Sequence, residues 1–188
     1  LGIADVAAML EEATRVFAAG VRVFKVKVGR NPNADRAIIE TLNEHFAGQG
    51  LTLYADANEL LEPDSVAQRL HELAELGIAY VEEPLPVELV HARQDLRAAE
   101  MLPIIADDSC FTIRDLKREL ALNTFDILNI KPARTGVVQS LMMMQLAKDA
   151  GKRIMIGSQA CSGLGTVHAA VIASFEAVDC PSELSFPL

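Results

Sequence analysis

Five ionisable side chains recur along this chain at a nearly even interval. Lys27, Asp56, Glu82, Asp107 and Lys131 are separated by steps of 29, 26, 25 and 24 residues. The amines flank the acids, and Lys25 stands two residues before Lys27 in the stretch "RVFKVKVG". Three carboxylates brought together without a cation repel and raise one another's proton affinity. A divalent ion resolves that conflict, and an all-oxygen donor set with open positions suits Mg²⁺, with Mn²⁺ as the alternative, rather than zinc. Lys27 and Lys131 would then face each other across whatever the ion holds. A lysine crowded by a second ammonium, here Lys25, and by a metal cation gives up its proton more easily and can act as a base near neutral pH. Taken singly, an acid at a strand end is more often a helix cap or a solvated loop residue, and a lone lysine a surface charge. The matched spacing of all five carries the inference.

The elements that must position these residues alternate strictly. "DVAAMLEEATRVFAAG" has helical spacing between a start signal at Asp5 and a stop at Gly20, and "RVFKVKV" follows as a strand. In that strand Lys25 and Lys27 point to one face, and Phe24, Val26 and Val28 to the other. The pattern repeats as "ADRAIIETLNEHFA" then "LTLYADA", "PDSVAQRLHELAELG" then "IAYVEEP", and "ELVHARQDLRAA" then "LPIIADDS". It continues as "TIRDLKRELAL" then "FDILNIKP", "GVVQSLMMMQLAKDAG" then "RIMIGS", and "GTVHAAVIASFEA" then a weaker strand, "SELSF". Met142, Met143 and Met144 are read as packing their helix on the sheet.

Seven helix-then-strand units with short strands rich in Val, Ile and Leu mean a parallel sheet covered on both faces. No glycine-rich dinucleotide turn follows the first strand. One unit separates each of the five ionisable residues from the next, which places them at one height on the carboxyl ends of the strands, where barrels of this kind carry their sites. The fold expectation is therefore an α/β barrel. A unit order that begins with a helix implies one further strand upstream of Leu1.

Composition bounds the function from another side. The 188 residues are 51% hydrophobic and carry 17 basic against 26 acidic side chains, a formal charge of −9. An acidic chain without a basic cluster argues against nucleic acid as a partner. No apolar run reaches membrane-span length and no signal peptide opens the chain, so the reading is of no membrane association and a cytoplasmic location. Cys110, Cys161 and Cys180 form no zinc pattern and no disulfide framework, which suits a reducing compartment.

The ordered set "KVKVG", "DAN", "VEEP", "ADDS" and "NIKPARTG" resembles the enolase superfamily, in particular its muconate-lactonizing subgroup of cycloisomerases, o-succinylbenzoate synthases, N-acylamino acid racemases and dipeptide epimerases. The resemblance runs from about Phe24 to Gly165. It implies a modified (β/α)7β barrel preceded by an α+β capping domain, so that residues 1–188 are one barrel domain lacking its first strand and that cap. It also implies a small-molecule carboxylate substrate and a homo-oligomeric full-length protein. By position, Asp56, Glu82 and Asp107 match the Mg²⁺ ligands, and Lys27 and Lys131 the acid–base lysines. Lys25 matches the neighbour that tunes Lys27 and helps to hold the enolate, while Asn58 and Asp108 match flanking positions. The implied reaction is removal of the proton alpha to a carboxylate, with racemisation, epimerisation, cycloisomerisation or β-elimination as outcomes. A Schiff-base lysine aldolase and a piece without catalysis are the alternatives.

Two departures qualify the match. "GSQACSGLGT" places Cys161 where many relatives carry a glutamate and leaves Ser158 and Gln159 at the pocket edge, and "RTGVV" replaces a glycine pair at the start of a helix.

Overall fold

The computed structural model describes residues 5–159 and 162–184. Seven helices and six strands alternate among them: α1 (Val6–Ala18), β1 (Val23–Lys27), α2 (Pro32–His45), β2 (Thr52–Asp56), α3 (Val66–Glu75), β3 (Ile78–Glu82), α4 (Val90–Ala98), β4 (Ile104–Ala106), α5 (Ile113–Leu122), β5 (Ile127–Ile130), α6 (Pro132–Asp149), β6 (Arg153–Ile156) and α7 (Gly163–Ala173).

Local chemistry sets several boundaries. Asp5 caps α1 by accepting the Ala8 amide, and Asn31 caps α2 with Pro32 at the first helical position. Thr112 and Asp115 form a reciprocal capping box on α5, which ends on Asn123 in the left-handed conformation. α3 begins at Val66, so Pro63 and Asp64 lie in the turn before it rather than at its first positions. Gly136, at φ 68° and ψ 167°, interrupts α6 after its first turn, and Ser140 Oγ donates to its carbonyl. The altered glycine pair thus falls at a break in the helix.

The six strands are all parallel and pair in the order β1-β2-β3-β4-β5-β6, giving a partial barrel. Sequential parallel pairing requires each helix to cross over the same side of the sheet. Phe24, Val26, Leu53, Ala55, Val81, Leu128, Ile130, Ile154 and Ile156 accordingly face the helices and pack against residues such as Ile39, Leu42, Leu70 and Leu116. The opposite face carries a smaller cluster, Tyr54, Ile105, Ile127 and Met155, flanked by Val23 and Tyr80. Met143 and Met144 are buried as expected, whereas Met142 is exposed.

The closed (β/α)7β barrel is seen only in part. Among the described residues β1 and β6 remain the two edges of the sheet. Of the expected strand "SELSF", Ser182 to Leu184 form no strand, and Ser185 and Phe186 lie outside the described residues. The segment nevertheless follows β6: the Glu183 amide donates to the Ile156 carbonyl at 2.8 Å, and the Asp179 and Cys180 amides both donate to Ile154. No helix among the described residues is long and apolar enough to cross a membrane.

Candidate active site

The strand register brings the spaced residues together. Lys27 lies opposite Asp56 in the β1–β2 pairing, and Asp56 opposite Glu82 in β2–β3. Asp107 and Lys131 follow directly on β4 and β5. β1 alternates as expected: Phe24 and Val26 are buried towards the helices, while Lys25 and Lys27 project from the other face.

Carboxylates neutralise the two lysines that share one face of β1. Lys25 Nζ lies 2.9 Å from Asp56 Oδ2, 3.0 Å from Glu82 and 2.9 Å from Glu183 Oε2. Lys27 Nζ donates to Asp56 Oδ2 at 2.5 Å and to Asn58 Oδ1 at 2.6 Å. Lys131 Nζ donates to Asp107 Oδ2 at 2.5 Å. Arg134 spans Asp107 Oδ1 and Asp108 Oδ1, each at 3.0 Å. Ser158 is half-buried and Gln159 exposed, directly after β6, and Cys161 lies outside the described residues.

The rim is a row of three acids, with Lys25 ion-paired to Asp56 and Glu82, and with Lys27 and Lys131 ion-paired to the outer acids Asp56 and Asp107. Among the described residues no group of three or more histidine, cysteine or acidic side chains is placed to hold a metal ion.

Electrostatics follow from that row. Burial works against the charge on Lys25, but Glu82, Asp56 and Glu183 outweigh it and raise its proton affinity above the ordinary lysine value. Lys25 is therefore a fixed positive charge. Burial also works against the Asp56 carboxylate, and Lys25 and Lys27 overcome it and hold that group below the ordinary value. Glu82 goes the other way. It is fully buried, and desolvation together with Asp56, Asp107 and Glu183 pushes its carboxyl well up despite Lys25.

Arg134, Glu183 and Asn129 at this rim were not singled out from the sequence. Glu183 joins β6 through its backbone and Lys25 through its carboxylate. The signal was present, since two further steps of 26 residues from Lys131 land on Gly157 and then Glu183. Asn129 donates from Nδ2 to Glu82 Oε1 at 3.2 Å, and its Oδ1 faces Gly157.

A parallel α/β sheet in sequential order, with amines and acids sharing the carboxyl rim, defines a barrel-type enzyme scaffold. Residues 8–187 match the family model described as "Enolase C-terminal domain-like", and the chain belongs to that family. An L-Ala-D/L-Glu epimerase of Thermotoga maritima is 30% identical over 190 residues, covering 98% of this chain and 54% of the relative. A solved muconate lactonizing enzyme from Mycobacterium smegmatis superposes with a TM-score of 0.88 at 33% identity, covering 98% of this chain and 53% of that one. A dipeptide epimerase from Cytophaga hutchinsonii, solved with Mg and the dipeptide D-Ala-L-Val, gives a TM-score of 0.88 at 29% identity, covering 99% of this chain and 50% of that one. The chain thus spans about half the length of the relatives it matches.

Proposed function

We propose that the protein to which this chain belongs is a Mg²⁺-assisted isomerase that removes and returns the proton alpha to a carboxylate, with epimerisation or racemisation as its outcome. The observation that carries the reading is the ordered rim Lys27, Asp56, Glu82, Asp107, Lys131 on consecutive strands, with an amine at each end of three acids. Support also comes from the epimerases among its relatives, one of them solved with Mg and a dipeptide.

The donor chemistry fits a divalent ion. Glu82 Oε2 and Asp107 Oδ1 are buried and accept no hydrogen bond, although each lies 3.0 Å from a cationic nitrogen. Such oxygens would be stabilised by a hard cation, and Asp56, Glu82 and Asp107 would hold it. When bound, the ion supplies positive charge to a substrate carboxylate whose α-carbon is losing a proton.

The chain's own residues do the rest. Lys27 Nζ takes the proton from one face of the α-carbon, and Lys131 Nζ returns one on the other. Lys25, held positive by three carboxylates, places a fixed charge beside the developing carbanion. Asn58 orients Lys27, and Arg134 orients Asp107. An oxyanion-type contact of this sort is worth about 3–4 kcal/mol.

The test is α-proton exchange in deuterated water, screened over dipeptides, N-acylamino acids and muconates. Lys27→Ala and Lys131→Ala are each expected to abolish inversion of configuration. Inversion that survives either substitution refutes the two-lysine assignment. A β-eliminated product would identify the lyase alternative, and a borohydride-trapped lysine the Schiff-base one.

A further inference from the structure

Behind the rim lies a buried ion network that the proposed chemistry does not use. Glu83 and Arg93 are almost fully enclosed, as is Glu119. Arg93 on α4 places Nη2 3.0 Å from Glu83 Oε1, an ion pair outside hydrogen-bond geometry, and donates from Nη1 to Glu119 Oε2 at 2.9 Å. Glu119 on α5 also accepts from Thr124 Oγ1 at 2.5 Å and Arg118 Nε at 2.8 Å. The far oxygen of Glu83 accepts three donors, the Asp107 amide, the Ser109 amide and Ser109 Oγ, all at 2.9 Å.

Those donors belong to the turn that carries Asp107, which is continued by a short 3-10 turn at Asp108–Cys110. Glu83 itself adopts φ 38°, a conformation that costs a residue with a side chain and persists only where its surroundings enforce it. A carboxylate there, buried and turned onto the next strand's loop, has a specific task.

We infer that Glu83, locked by Arg93, is the positioning residue that sets Asp107 for the metal, so that α4 and α5 control one ligand of the rim from outside it. The inference rests on the Mg²⁺ reading above. Residues that orient a metal ligand typically change metal affinity 10- to 100-fold when altered.

The test uses the full chain and three variants, read by amide hydrogen exchange and by Mn²⁺ titration. In Glu83→Gln one oxygen can still accept the three donors, but the NH₂ then meets Arg93 donor against donor. Exchange protection at Asp107 and Ser109 is expected to fall at least about tenfold and Mn²⁺ affinity about tenfold, while protection in β5 and β6 is retained. Adding Arg93→Met removes the donor conflict and is expected to restore both readouts towards wild type. A merely structural role predicts the opposite, a double variant worse than Glu83→Gln alone. Ser109→Ala, the mildest change, leaves Glu83 the two backbone donors and is expected to give a smaller loss in both readouts than Glu83→Gln.

Unchanged protection in Glu83→Gln overturns the inference, and so does lost protection with wild-type Mn²⁺ affinity. Wild-type protein that binds no Mn²⁺ sinks the metal reading itself. That result is separable, because amide protection then still reports whether Glu83 holds the turn.

Discussion

Substituting Gly157 by alanine should disturb the rim through a single neighbour. A Cβ at this position would lie 2.3 Å from Asn129 Oδ1 and 2.9 Å from its Cγ and Nδ2. Asn129 has little room to withdraw, being 2% exposed and committed through Nδ2 to Glu82. Overpacking of this kind costs about 1–3 kcal/mol. Loss of the amide bond to a buried carboxylate adds about 1.5–3 kcal/mol, and the lower chain entropy of alanine returns about 0.5–1 kcal/mol. The expected net loss is about 3 kcal/mol, or roughly 6–12 °C in Tm for a chain of this size. Urea unfolding of Gly157→Ala, Asn129→Ala and the double variant forms a closed cycle. Asn129→Ala alone should cost about 2 kcal/mol. The double variant should be no less stable than that, because the clash has lost its partner, giving a coupling of at least about 3 kcal/mol. Additive losses, or a Gly157→Ala protein within about 0.5 kcal/mol of wild type, would refute the argument.

Three further outcomes follow from features away from the rim. Arg69→Met strands Asp35, which otherwise joins Arg69 at 2.7 Å and the Gly29 amide at 2.9 Å; urea unfolding should show a loss of about 3–5 kcal/mol, as for a broken buried pair. Thr112→Ala removes the capping box of α5 and should cost about 1 kcal/mol by the same measurement, whereas Thr112→Ser should be nearly silent. Asp179 is held below the ordinary carboxylate range chiefly by the hydrogen bond from Lys148, with burial opposing and the Ile154 amide assisting. A depressed folded-state value gives stability that is present above the unfolded-state value and is lost as pH falls through the folded one. Acid titration of Lys148→Met followed by circular dichroism should therefore show a flatter decline below about pH 4 than wild type, and an unchanged slope would contradict the assignment.

The rim was legible because its members are bound to local patterns. Each sits at the end of an apolar run, one unit from the next, so chain spacing reports height on the sheet. Alternation along "RVFKVKV" likewise foretold which face Lys25 and Lys27 share. The neutralisation of Lys25 was not legible in full, because one of its three acids, Glu183, is 158 residues away. Glu83 was visible only as a second acid at the end of β3, and its partner Arg93 was not singled out. A buried arginine on a short amphipathic helix looks like a surface charge until the strand it covers is known. The last strand fared worst, since "SELSF" has three polar residues in five, and among the described residues its backbone joins β6 through the Glu183 amide.

The two clusters on opposite faces of the sheet have a consequence for how such a molecule can change. The helix-facing side chains hold the scaffold, while Lys27, Asp56, Glu82, Asp107 and Lys131 sit at or just beyond the ends of five different strands. A substitution at one tip acts on its neighbours along the rim and leaves the helix-facing packing beneath it in place. Reactivity can then drift tip by tip under selection while the architecture beneath it stays constant.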